Sequence, residues 1–211
     1  INISQGMNAG AHDGTSLVEA ACDSVTSMGR EPGIAIVKSA GNQGDQGTHA
    51  KLTSAAGKQK TLEWTTEQTP KVTIELWISS NIILSFRLKS PHGDTISMGF
   101  DIQHEANLST GDYVKFDYDR INSDNGDSLV TLTLLSKMRS NDSYLQDGLW
   151  KLEILNFSST NDHPLDETIH GWIERGTLNA ARFVGAFVDD KSTSITVPGT
   201  SHSVIVVGAM Q

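Results

Sequence analysis

The chain predicts an α/β fold, a parallel βαβ unit in its first part, with an all-β sandwich inserted before the chain returns to the α/β domain at its end. Three observations predict it. Apolar residues recur at helical intervals between two short β-type runs in the first part, period-two alternation fills the middle, and consecutive apolar residues return near the end. The divisions fall at residues 1–61 for the first part of the α/β unit, 62–175 for the sandwich and 176–211 for the return.

Ile1 to Ser4 is a short β-type run, and a glycine-bearing loop follows from Gly6 to Gly14. Ser16 and Glu19 have capping-box spacing, a hydroxyl first and a carboxylate three residues on. Leu17, Val18, Ala21, Val25 and Met28 then predict a helix with one apolar face laid on a sheet. Gly29 and Gly33 flank the turn out of it. Ile34-Ala35-Ile36-Val37 is apolar at consecutive positions, the pattern of a strand covered on both faces. In parallel units the site lies beyond the carboxyl ends of the strands. That is where Ser39-Ala40-Gly41-Asn42-Gln43-Gly44 stands, with an amide side chain able to donate into a cleft.

After His49 the period changes. Val72, Ile74, Leu76 and Ile78 alternate with polar or aromatic neighbours, Ile82, Leu84, Phe86 and Leu88 alternate with Ile83, Ser85 and Arg87, and period two continues at Val114 to Tyr118, Val130 to Leu134, Trp150 to Ile154 and Ile169 to Ile173. Turn clusters at 90–94 and 123–127 separate them. A stretch of about 110 residues without a crossover helix fits an antiparallel sandwich. Within it, Trp150 and Trp172 read as core aromatics. Arg182 to Val188 has no clear period and reads as loop, Ile195 to Thr200 as a short strand and turn, and Val204 to Ala209 as a buried strand.

Composition narrows the function classes. The chain has 211 residues, 37% of them hydrophobic, and a net charge of -9 from 16 basic and 25 acidic residues. With no basic run, it lacks the footprint of a nucleic-acid binder. No apolar run has the length of a membrane span. Cys22 stands alone, which excludes an internal disulfide and a cysteine-based zinc site. A first residue other than Met, on what reads as strand, leads to the expectation of a piece cut from a longer chain.

Three segments in order, Ile1 to Gly6, Ser39 to Asn42, and Ile195 to Thr200 with Val204 to Ala209, resemble the subtilisin-like serine proteases, or subtilases. The resemblance implies that Ser4, Gln5 and Gly6 form the strand on which an extended polypeptide substrate lies. Gln5 stands where leucine is more usual. It further implies that Ser39, Ala40 and Gly41 wall the pocket for the residue before the cut bond, and that Asn42 is the side-chain half of the oxyanion hole. The third segment is structural in that family. The inserted segment is similar to the jelly roll inside some bacterial subtilases, the Csp type among them. Gly148 to Ile154 also looks like a strand of the P domains that follow convertase-type subtilases.

The triad motifs of that family are absent from this sequence. No Gly-Thr-Ser-x-Ala-x-Pro run occurs, and Gly14-Thr15-Ser16 continues Leu-Val-Glu-Ala, which reads as a helix cap. His12 and Asp13 are adjacent, a poor geometry for relaying a proton. The sequence therefore predicts part of a serine endopeptidase that is inactive by itself, with the sandwich rigidifying the catalytic domain or limiting access to it. A non-catalytic sandwich binding glycan or protein, and a pseudoprotease, are the alternatives. No cofactor is required. Calcium is the one candidate metal, through Asp124, Asn125 and Asp127 with Asp117 and Asp119, against a solvated hairpin turn built from the same residues. The histidines, His12, His49, His92, His104, His163, His170 and His202, show no helical pair for zinc. The resemblance implies an exported or spore-associated protein.

Overall fold

The computed structural model describes residues 1–30, 32–42, 44–78, 82–100, 102–137, 143–158, 167–174, 176, 180–185 and 193–208. Gln43, His163, 186–188 and Ala209 lie outside the described residues. The elements begin with β1 (Asn2–Ile3), α1 (Leu17–Val25) and β2 (Val37–Ser39). There follow β3 (His49–Ser54), β4 (Gln59–Thr66), β5 (Lys71–Ile78), β6 (Leu84–Lys89), β7 (Thr95–Gly99) and β8 (Gln103–Asn107). The series ends with β9 (Tyr113–Asp119), β10 (Ser128–Leu135), β11 (Gly148–Asn156), β12 (Glu167–Ile173), β13 (Ala181–Val184) and β14 (Ile205–Val207).

Period-two sequence makes the middle of the chain. A six-stranded sheet runs β3-β12-β5-β10-β9-β8 and a five-stranded sheet β13-β4-β11-β6-β7, every pair antiparallel. Register aligns like with like. Val72, Ile74 and Leu76 of β5 face Leu134, Leu132 and Val130 of β10, and all six are buried. In the second sheet Trp150 pairs with Trp64, their rings stacked 6.2 Å apart. Both sheets feed one apolar cluster, so they pack face to face. Burial of each such Leu, Ile or Trp contributes about 1.5–3 kcal/mol against exposure. The sandwich sheets take in β3, β13 and the start of β4, strands on either side of residues 62–175.

The α/β class predicted from the chain ends is overturned. Among the described residues the structure is mostly antiparallel β with a single helix. Among the described residues parallel pairing occurs only in the sheet β1-β2-β14, whose strands have two or three residues each. Against those three short strands, the two antiparallel sheets hold eleven strands among the described residues. The expectation that Ile34 to Val37 is covered on both faces fails with it. Ile34 is exposed, Ile36 buried and Val37 half-buried, so this segment alternates.

Helix α1 also sits the other way round from its predicted orientation. Leu17 is 82% exposed, and Val25 and Met28 lie open as well. The buried face is Glu19, Cys22 and Asp23, followed by Thr26 at the carboxyl cap. Hydrogen bonding explains this. Glu19 Oε1 accepts from Thr200 Oγ1, while Asp23 accepts from Ser201 Oγ at 2.7 Å, Ser203 N at 2.9 Å and His202 Nδ1 at 3.1 Å. The turn after β13 is thereby stitched to the polar stripe of the helix. Ser16 caps it, its N–H and hydroxyl both directed at Glu19 Oε2.

Candidate functional site

Because β1 and β2 are parallel, their carboxyl ends open on the same side. Ser4, Gly6, Ser39, Gly41 and Asn42 leave those ends and line one cavity of about 270 Å³. Gln5 and Ala40 do not line it. Gln5 is exposed, and Ala40 is a backbone joint, its N–H given to Val207 O and its carbonyl accepting from Thr196 N, both at 2.9 Å. Asn42 is exposed at the cavity mouth. Gly41 stands at φ +110°, a conformation glycine adopts without strain.

Two residues that sequence reading did not single out complete the lining, Lys38 and Thr196. Lys38 is the middle residue of β2, pairs with Ile3 and Val206, and is fully buried. Its Nζ donates to Ser39 O and to Thr196 Oγ1, the latter at 2.9 Å. Burial pulls the pKa of its amine below the ordinary lysine value. Gly6 is required by this packing. A Cβ there would fall 2.8 Å from Thr196 Cβ and 2.9 Å from Lys38 Nζ. The signal was in the sequence, a lysine directly following an apolar run and preceding Ser-Ala-Gly-Asn.

The loop that leaves the cavity is tied to the sandwich. Met7 and Val197 exchange backbone hydrogen bonds at 3.1 and 3.0 Å. Asn8 Nδ2 donates to Ile173 O at 2.9 Å, Ala9 N to Glu174 Oε2 at 2.6 Å and Gly10 N to Glu75 Oε2 at 2.8 Å. His12 stacks on Trp172 at 4.2 Å, its ring nitrogens each 2.9 Å from a carbonyl, Ile195 O and Asn8 O. Glu75 was missed because a polar position on an alternating strand reads as solvent-facing, and Glu174 because it directly follows the last residue of such a strand.

The other candidate residues are held by structural partners. Ser16 is buried and bonded to Glu19, and Asp13 accepts from Thr15 and from Asn125 at 2.9 Å, so neither contacts the cavity. Asn125 also reaches Asp127, Asp119 accepts from Asn122, and Asp117 pairs with Lys115 at 2.7 Å. His49 and His170 stack together, Nε2 to Nδ1 at 3.0 Å. Among the described residues no three His, Cys, Asp or Glu side chains are grouped to hold a metal. Trp150 is core, and Trp172, also buried, faces histidines.

Two antiparallel sheets beside a short parallel sheet form a fold shared with part of a known protease. The whole chain superposes on part of the Clostridium perfringens CspB protease with a TM-score of 0.81 at 19% identity, spanning 41% of that protease's chain. At this identity the likeness is one of fold. A Bacillus licheniformis lipase, BlEst2 in its propeptide form, aligns at a TM-score of 0.39 and 12% identity over 63% of this chain and 23% of its own, too distant to bear on function. No family model and no curated protein matches the chain.

Proposed function

We propose that the chain is a segment of a subtilisin-like serine endopeptidase, in which it supplies the substrate strand Ser4, Gln5 and Gly6, the pocket wall Ser39, Ala40 and Gly41, and the oxyanion donor Asn42. The observation that carries this reading is the meeting of Ser4, Gly6, Ser39, Gly41 and Asn42 at one cavity. An extended polypeptide pairs with the exposed backbone at Ser4 to Gly6 by main-chain hydrogen bonds. In the intact enzyme a serine attacks the carbonyl, a histidine carries the proton, and the Asn42 amide donates to the oxyanion. The sequence holds no Gly-Thr-Ser-x-Ala-x-Pro run, and the 211 residues alone cleave no peptide bond. The partner is polypeptide. The reading requires no nucleic acid, membrane or resident cofactor, with calcium the one candidate metal.

The sandwich braces the cleft and restricts access to it. Its Glu75, Ile173 and Glu174 hold the loop that continues from the substrate strand, which supports this role. In the full-length enzyme, Asn42→Ala lowers kcat about 100- to 1,000-fold, the size known for the equivalent donor of a subtilisin, with KM nearly unchanged. Steady-state kinetics on a peptide substrate measures it. Undiminished kcat in that variant would remove the oxyanion role.

A further inference from the structure

Among the described residues, Lys38 is a buried basic group with no counter-charge at ion-pair distance. Its described partners are a carbonyl and a hydroxyl, both neutral, and no carboxylate lies at ion-pair distance from it among the described residues. Two acceptors leave one proton of an ammonium unanswered. Such a group is costly to bury, and a lysine is poorly explained as filler where leucine or methionine would fill the same space. Its position gives it a use. Lys38 is among the residues that line the cavity, and its Nζ lies so close to Gly6 of the substrate strand that a Cβ there would fall 2.9 Å from it. Thr196 sets a hydroxyl beside it, and Ser4 and Ser39 line the same cavity.

We infer that this cavity takes an acidic side chain, Glu or Asp, from the substrate residue whose carbonyl is cut, and that Lys38 selects it. The inference rests on the cleft reading given above. A carboxylate entering the cavity supplies the missing acceptor and the missing charge together, which a glutamine amide does only in part. The α-carboxylate of a cleaved product offers the same chemistry. Its place is nearer Asn42, at the scissile position, so the side chain is the source assigned.

Three peptides test this on the chain itself, acetyl-Ala-Ala-Glu-amide, acetyl-Ala-Ala-Gln-amide and acetyl-Ala-Ala-Gln with a free carboxyl terminus. Binding is followed by NMR through the backbone amides of Gly6 and Gly41 and the Lys38 side-chain signal. The glutamate amide is expected to bind about tenfold more tightly than the glutamine amide, with the difference lost in Lys38→Met. Equal binding of the two amides overturns the inference and leaves the cleft intact. Tight binding of the free-acid glutamine peptide alone overturns the assignment to the side chain. If no peptide moves the amides of Gly6 and Gly41, the cleft reading falls and this inference with it. Should Lys38→Met fail to fold, the ratio of the two amides on the unaltered chain decides.

Discussion

At the scale of single residues, charge buried on a short helix holds the chain end in place. Burial pushes the Asp23 carboxyl up, but hydrogen bonds from Ser203, Ser201 and His202 together outweigh it and hold it well below the ordinary carboxylate range. The sign follows from linkage. A depressed folded pKa adds stability that is complete above the unfolded value of about 3.9 and is lost as pH falls toward the folded one. Asp23→Asn is expected to destabilise by about 2–4 kcal/mol at pH 7, since an amide cannot accept from all these donors. Urea denaturation checks it, and the gap to the unaltered chain narrows below about pH 4. An equal gap at pH 7 and pH 3 would contradict the assignment. Asn42 was legible at this scale because strand end and amide are adjacent in sequence. Lys38 left a local signal, but its meeting with Thr196 was not legible, because 158 positions separate them and only folding makes them neighbours.

At the scale of elements, α1 separates what periodicity fixes from what it leaves open. The capping pair and the 3.6 period predicted a helix at this place, and the helix is there. The apolar face was assigned to the interior, but Leu17 and Val25 are exposed while Glu19 is fully buried. Within this chain, the hydroxyls of Thr200, Ser201 and Ser203 decide the orientation. Glu19→Leu is therefore expected to cost about 2 kcal/mol, and Leu17→Glu within about 0.5 kcal/mol of nothing. Thermal and urea unfolding of both variants would show the order, and the reverse order would refute it. Among the strands, those with strict alternation were legible, such as β5, β9 and β10. β3, β4, β7, β8 and β13 were not. All of these except β4 are sheet edges, where a strand has a neighbour on one side only.

For the whole molecule, the joint between sandwich and cleft matters most. Trp172, on β12, stacks on His12 and His49, and the loop from Met7 to His12 runs across the ends of the sandwich strands. Trp172→Ala is expected to raise hydrogen exchange of the amides at Ala9 and Gly10 at least tenfold while leaving β5 and β10 protected. Uniform acceleration across the chain would mean that the tryptophan supports the sandwich core and not the joint.

The sequence by itself determined the antiparallel middle, the helix and its cap, and the position of Asn42 past a strand end, because each depends on neighbours within a few residues. Only the tertiary structure decided the predominance of antiparallel β over the α/β class, the outward apolar face of α1, and the closure of the cavity by Lys38 and Thr196. These depend on which distant groups meet. A buried charge or hydroxyl is placed by the hydrogen-bonding partners that folding brings to it, and local pattern carries no record of them.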